Sequence, residues 1–485
     1  MSPEREVTGV NRRKMLRGAG YGVATLAGLT ALAGCSGGSP AAATGRSTAS
    51  SAAGAPSAGT ATSGTASGTA ASGEAGAAAP ARVQPTTLTG LVFDGPTDDG
   101  QFLRVLDNVY AGGADVGEAF MTARRIVPGD PDSWYREWTA TADRINRIAQ
   151  VSAAAGQTVS ARQAYARAAM YYRSAGGMWF RPPLDPRLTD SYHRQREAFA
   201  NAAALSDVAL DLVQIPYEQT SLEGWFAVPA GDGPFPTLVM VDGYDGTKEE
   251  MFFLGGRAAL DRGYAVLMVD GPGQGGALID QGLVFRPDWE NVVTPQIDWL
   301  YEQPAVDRGR IVLMGRSWGG YLAPRAATAE HRIAALVADA AQYAPGKGAA
   351  ELIPEALRPQ FESGDPDVLN AALEQEMAAV PQVAFILNRG MLTHGMQTPL
   401  DYLRGSAPYT IEGLADRISC PAFICEAEGD FRAGGAKPLY DAITTPKKYV
   451  QFKNADGAGE HCESGASALF AQTVFDWLGQ TLGIG

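Results

Sequence analysis

The sequence predicts an α/β fold, a mostly parallel β-sheet flanked by helices, with a helical domain in front of it. Three observations predict it. From residue 207 onward short apolar runs alternate with helical stretches. The apolar run 311–314 leads directly into Gly315, Arg316, Ser317, Trp318, Gly319 and Gly320, and an alanine-rich helix pattern follows. Residues 87–205 carry apolar side chains at three- and four-residue spacing, without the alternation of a strand.

In the first region Ala161, Ala164, Tyr165, Ala168, Ala169 and Tyr172 recur as one face of a helix. Trp134, Tyr135, Trp138, Tyr171 and Tyr172 fit the core of such a domain, since helical spacing alone accounts for them. No second copy at a fixed period suggests a helical repeat. Residues 206–485 then form the second domain. Strands are expected at 213–217 and 225–228 as a hairpin, then at 237–241, 265–269, 311–314, 333–337, 422–425 and 449–452, each bounded by Gly, Pro or charge. Helices are expected near 249–262, 288–302, 318–329 and 465–482. A hairpin followed by strictly alternating strands and helices implies a parallel sheet covered on both faces. The interval 344–415 breaks the alternation with helix-like sequence, and an insertion at that point would lie over Ser317 as a lid.

The chain has 485 residues, 45% of them hydrophobic, so a large core can be buried. A formal charge of −14 argues against nucleic acid as a partner and is suited to solubility. Within residues 1–35, Asn11 to Arg17 reads Asn, Arg, Arg, Lys, Met, Leu, Arg, which resembles a twin-arginine export signal. It precedes an apolar segment too short to be a comfortable membrane span, ending in Leu32, Ala33, Gly34 and Cys35. Those four residues resemble a lipobox, which makes Cys35 the lipidated first residue after cleavage; the rival reading is an uncleaved anchor. Residues 36–86 are almost entirely Ala, Ser, Gly, Thr and Pro, a disordered tether. The expectation is a lipoprotein exported by the twin-arginine route and anchored in a membrane, at the cell surface or facing the periplasm. Cys420 and Cys425 flank one strand and would stand about 17 Å apart at strand rise, too far for a disulfide, while a link from either to Cys462 stays open. No ligand spacing suggests a metal, and no cofactor is expected.

Serine between two glycines at a strand-to-helix turn is the nucleophile elbow pattern, in which the turn leaves the hydroxyl exposed at the sheet edge. The hydroxyl needs a base, and histidine has the pKa for the exchange. Of four histidines, His193 precedes the sheet, His331 closes the helix after Ser317 and His394 lies in the insertion. His461 alone follows the last strand, where the base of such a site belongs. The carboxylate that orients it should lie between them in sequence; Asp430, after the strand 422–425, is the first choice and Asp339, after the preceding strand, its rival. Glu426 and Glu428 read as loop charges. An oxyanion hole needs two backbone N–H groups, expected from Trp318 and from Tyr244 in the glycine turn after the third strand. The loop 270–275 is assigned structure only, because it lacks the lysine and hydroxyl residue of a phosphate loop.

Three segments carry a family likeness: Gly243 to Glu250, reading Gly, Tyr, Asp, Gly, Thr, Lys, Glu, Glu; Gly315 to Gly320; and Gly459, Glu460, His461, Cys462. With Tyr165, Arg167, Ala168, Tyr171, Tyr172 and Arg173 before the sheet, the chain resembles a subgroup of α/β-hydrolases that includes the dihydropseudooxynicotine hydrolases and the fungal polyketide-shortening hydrolases. The likeness spans residues 130–485. It implies an enzyme that cleaves an ester, or a carbon–carbon bond between carbonyls, of a small molecule through an acyl-enzyme, and it leaves a homodimer open. A non-catalytic binding lipoprotein on the same fold is the reading from another class. A peptidase of the prolyl-oligopeptidase type would bring a β-propeller, for which residues 87–205 are too few and too helical. The chain departs from the family in carrying Asp242 where a glycine commonly precedes Gly243. Some carbon–carbon hydrolases use a further acid in the cap, and Glu351 is the nearest in sequence.

Overall fold

A computed structural model describes residues 90–430 and 433–484; the export signal, Cys35 and the linker fall outside the described residues. Helices α1 (Pro96–Asp107), α2 (Val116–Ala123), α3 (Pro131–Ala154), α4 (Thr158–Gly176) and α5 (Pro186–Ala204) build the first part of the chain. Local chemistry sets their starts. The side chains of Asp115, Asp130 and Asp185 accept backbone N–H groups from the first turns of α2, α3 and α5, and proline opens α1, α3 and α5. Helices α3 and α4 pack through the aromatic residues that their spacing singles out. Trp134 and Trp138 lie 5.9 Å apart between ring centroids, and Trp138 lies 5.5 Å from Tyr171.

Eight strands follow: β1 (Ala209–Tyr217), β2 (Thr220–Val228), β3 (Phe235–Val241), β4 (Ala265–Val269), β5 (Val306–Arg316), β6 (Ala335–Asp339), β7 (Ala422–Ala427) and β8 (Lys447–Phe452). They form one sheet in the order β1-β2-β4-β3-β5-β6-β7-β8. The pairs β1/β2 and β2/β4 are antiparallel and all others parallel, so the hairpin edges a parallel sheet. Strands β4, β6 and β7 are buried along their whole length, as apolar runs covered on both faces must be. Several expected elements differ: β1, β2 and β5 begin four or five residues before their expected runs. The sixth strand begins at Ala335, two residues later than the apolar run, because Ile333 is already buried while the chain is still turning. The helix expected over 249–262 is broken into Lys248–Met251, a wide π turn Phe252–Gly256, and Arg257–Leu260.

Between β6 and β7 the chain forms the short turns Pro345–Leu352 and Glu355–Gln360 and the helices Pro366–Ala379, Pro381–His394 and Pro399–Gly405. Their apolar faces close on a small core of their own around Leu369, Leu373, Leu387, Met391, Leu400 and Leu403.

One buried cation couples the helical part to the sheet. Lys248 is fully buried; its ammonium donates to the Tyr192 hydroxyl of α5 at 2.8 Å and to Asp270, just past β4, at 2.9 Å, and lies 2.9 Å from Glu249. Charges withdrawn from water this completely depend on one another. Replacement Lys248→Met leaves Asp270 and Glu249 facing each other without a cation, and urea titration should show a loss of about 3 to 5 kcal/mol. A loss below about 1 kcal/mol, in the range of surface pairs, would refute this coupling.

Candidate active site

Strand β5 ends at Arg316, and the next residue carries the sharp turn. Ser317 has φ +59°, a conformation that costs a side-chain-bearing residue energy, and the helix Gly319–Ala327 starts two residues later. The turn is so tight that a Cβ at Gly315 would lie 1.9 Å from the Gly319 carbonyl oxygen, and one at Gly319 would lie 2.2 Å from that of Val241. Ser317 Oγ is thereby held 2.8 Å from His461 Nε2. His461 sits in the turn His461–Glu463 after β8, and its Nδ1 lies 2.8 Å from Oδ2 of Asp430, a buried residue in the loop after β7. A hydroxyl, an imidazole and a carboxylate are thus joined in the order that nucleophilic acyl transfer requires.

The other candidates are elsewhere. His193 pairs with Asp280 and His331 meets Ser419, both near the surface. His394 is buried among Tyr244, Phe285, Trp318, Tyr402 and Tyr409, and burial alone pushes its pKa down to about 3, so its ring is neutral. Glu426 accepts the Gly434 amide and the Tyr449 hydroxyl, and Glu428 accepts the Asn454 amide. Glu351 is exposed on the insertion and does not line the cavity above Ser317. Asp339 faces Arg316 instead of His461. The Arg316 guanidinium is buried; Nε donates to Asp339 at 2.9 Å, Nη1 to the Leu254 carbonyl at 2.7 Å, and Nη2 to the Cys462 carbonyl. The Leu254 carbonyl lies in the π turn, next to Gly255, whose non-helical backbone breaks the expected helix.

Beneath the site Asp339, Cys425 and Glu463 bring ligand-type atoms within 4.8 Å of one another. Burial, and then the charge of Asp339, push the Glu463 carboxyl well above the usual carboxylate range. With Asp339 already paired to Arg316, the group is compensated by protein charges, and a cation there would have to displace the guanidinium. Cys420, Cys425 and Cys462 are buried free thiols.

Around Ser317 the loop after β3 approaches closely. A Cβ at Gly243 would lie 2.8 Å from Ser317 Cβ and 3.4 Å from the Trp318 amide nitrogen. Gln274, in the loop read as purely structural, donates to the carbonyls of Asp242 at 2.6 Å and Gly243 at 3.0 Å, and so fixes the loop from behind. The Tyr244 hydroxyl meets Tyr402 and His394 of the insertion, each at 3.0 Å, which holds the loop from the other side. The Gly243 amide is spent on Asp242 Oδ1 at 2.6 Å. Sequence reasoning missed both Gln274 and the arginines described below. Their only sequence signal is identity, since a lone Gln or Arg on a loop or helix marks nothing until the fold assembles it.

A cavity of about 180 Å³ opens above Ser317 and His461. One wall comes from Gln101 and Arg104 of α1, another from Gln382, Phe385 and Arg389 of the helix Pro381–His394. Asp242 also lines it, with a carboxyl pushed up to about 7 by burial and then by Glu250, against the lowering effect of Arg104.

A family model described as esterase FrsA-like matches residues 126–342, and one for the alpha/beta hydrolase family matches residues 238–467. A hydrolase of a Fusarium species is 32% identical over 407 residues, covering 79% of this chain and 96% of its own. The 20-hydroxy-prefusarin hydrolase of Gibberella moniliformis is 33% identical over 406 residues with the same coverage. Among solved structures, that of 2,6-dihydroxy-pseudo-oxynicotine hydrolase superposes with a TM-score of 0.62 at 21% identity, covering 77% of this chain and 94% of the other, a likeness of fold.

The Asp242 carboxyl gives the folded state a proton that the unfolded chain releases near 3.8, so stability falls as pH rises from there to about 7. Replacement Asp242→Asn removes that dependence. Relative to the wild type the variant should gain up to about 1.4 kcal/mol per pH unit across this window in urea titrations; parallel pH profiles for the two proteins would contradict the assignment.

Proposed function

The chain belongs to the alpha/beta hydrolase family, and from that premise we propose that it is a serine esterase that hydrolyses a small organic ester through an acyl-enzyme. One observation carries the reading, the chain of two 2.8 Å contacts from Ser317 through His461 to Asp430. Ser317 Oγ attacks the ester carbonyl while His461 Nε2 takes its proton. Asp430 holds the ring so that Nδ1–H points to the carboxylate and Nε2 is left to accept. The tetrahedral oxyanion is received by the amides of Trp318 and Tyr244, the first from the elbow and the second from the loop that Gln274 and the insertion brace. His461 returns the proton to the leaving alcohol, and water repeats the sequence on the acyl-enzyme.

Ester cleavage asks least of these groups, because an alkoxide or phenoxide leaves with one proton from His461. A carbon leaving group needs its charge spread into an enolate, and a relative acting on 20-hydroxy-prefusarin keeps polyketide-like substrates in view. For the N-terminus we propose export as a lipoprotein anchored at Cys35, with the segment 36–86 as tether; the motif order supports this.

A fluorophosphonate probe should label the wild type and fail on Ser317→Ala, and Ser317→Ala should lose at least about 10³-fold in kcat on p-nitrophenyl esters. Asp430→Asn should lose about 10⁴-fold while Asp339→Asn, outside the triad, loses far less. Labelling that survives Ser317→Ala defeats the reading, and turnover of β-diketones with no ester hydrolysis would replace it with carbon–carbon cleavage. In cells, Cys35→Ala should shift the protein from the detergent phase to the aqueous phase; unchanged partitioning would argue against lipidation.

A further inference from the structure

The cavity above Ser317 is polarised. On one side stand Ser317, His461 and Asp430. On the other, α1 and the insertion helix Pro381–His394 face each other, and each presents a glutamine and an arginine: Gln101 with Arg104, and Gln382 with Arg389. The spacings, three residues in α1 and seven in the insertion helix, put both members of each pair on the face that lines the cavity.

The charges behind this wall do not balance. Arg104, Arg173 and Arg389 converge on two carboxylates, Asp245 and Glu250. Arg104 is fully engaged, with both Glu250 oxygens at 2.8 and 2.6 Å and Asp245 at 2.9 Å. Arg173 lies behind, donating to the Asp245 carbonyl and pairing with Glu250 at 2.9 Å, and does not line the cavity. Arg389 is different. Its guanidinium approaches Asp245 at 3.3 Å without hydrogen-bond geometry, and among the described residues it makes no side-chain hydrogen bond. It is 14% exposed, and it is held over the rings of Phe385 at 4.7 Å and Tyr244 at 5.5 Å from their centroids. A half-buried guanidinium held by stacking and one loose ion pair, with donors open to a cavity, suits a planar anion. The third acid of the group, Asp242, holds its proton up to about pH 7, so it does not fully cancel the extra positive charge. Three further acids line the cavity at its other end: Asp107 takes the Ser467 hydroxyl and the Gly465 amide, Asp430 is on His461, and Glu460 is buried.

We propose that this wall binds a carboxylate on the acyl part of the substrate, with Arg389 as its partner and Gln382 beside it, so that the enzyme prefers half-esters of dicarboxylic acids to neutral esters. The inference rests on the serine-esterase reading for its kinetic readout, and a binding measurement separates the two.

The kinetic probes are mono-p-nitrophenyl esters of the straight dicarboxylic acids from succinic to suberic, each compared with the p-nitrophenyl methyl diester of the same acid, on the full chain. For the best chain length the free carboxylate should raise kcat/KM about tenfold or more over the methylated partner, chiefly through a lower KM. In Arg389→Met that ratio should fall to near one, whatever happens to the absolute rates, and Arg389→Lys should restore part of it. A ratio near one in the wild type at every length overturns the proposal, as does a preference that survives Arg389→Met. Calorimetric binding of monomethyl adipate and dimethyl adipate to Ser317→Ala, with and without Arg389→Met, reads recognition without catalysis. Binding of the monoacid that depends on Arg389 supports the proposal even if no ester is turned over, whereas equal binding of acid and diester counts against it even if the esterase reading holds.

Discussion

Arg316 ties the strand before Ser317 to the turn that carries His461. It is the last residue of β5, and its guanidinium reaches Asp339 on β6, the π turn at Leu254 and the carbonyl of Cys462, the residue after His461. Its plane also lies over Phe470 of the helix Ser467–Leu482, 4.7 Å from the ring centroid. A rigid planar fork with five donors holds these three acceptors at fixed angles. The cation beside Ser317 thus also holds the backbone of the residue after His461.

That hold works against backbone strain. Ser317, Cys462 and Glu463 all have φ between +51° and +59°, and each costs on the order of 1 to 3 kcal/mol where it is not glycine. Such conformations persist only where surrounding bonds over-determine them. At the elbow the parallel register of β3, β5 and β6 does so, together with the closeness of Gly243. At the base the constraint is Arg316 from one side and Asp430 from the other. Of the five described non-glycine residues with positive φ, Ser317 carries the site hydroxyl and Cys462 and Glu463 follow His461 directly, while Glu218 and Ala340 lie elsewhere in the sheet's turns.

Much of this was legible in the sequence, for reasons that differ by element. The strands could be read because parallel strands buried on both faces must be apolar runs, and the order of Ser317, Asp430 and His461 followed from where strands end. Its place in the chain order favours Asp430 over Asp339, although both acids follow strands; the structure adds the physical reason, since Asp339 is paired with Arg316. The break in the helix after Lys248 had a signal in the paired Gly255 and Gly256, which the apolar spacing on either side outweighed, and the carbonyl it frees is taken by a side chain 62 residues away. Arg104, Gln274 and Arg389 gave no signal. Each acts across a tertiary contact with no spacing rule behind it.

The helices that wall the cavity come from distant parts of the sequence, α1 from before the first strand and the other from the insertion between β6 and β7. Neither supplies Ser317, Asp430 or His461. The residues joined from Ser317 to Asp430 and the helices that wall the cavity thus come from separate stretches of chain, and changes in α1 or the insertion can reshape the cavity while Ser317, His461 and Asp430 stay in place. The shape of the cavity can therefore vary independently of the sheet that fixes the three residues beneath it.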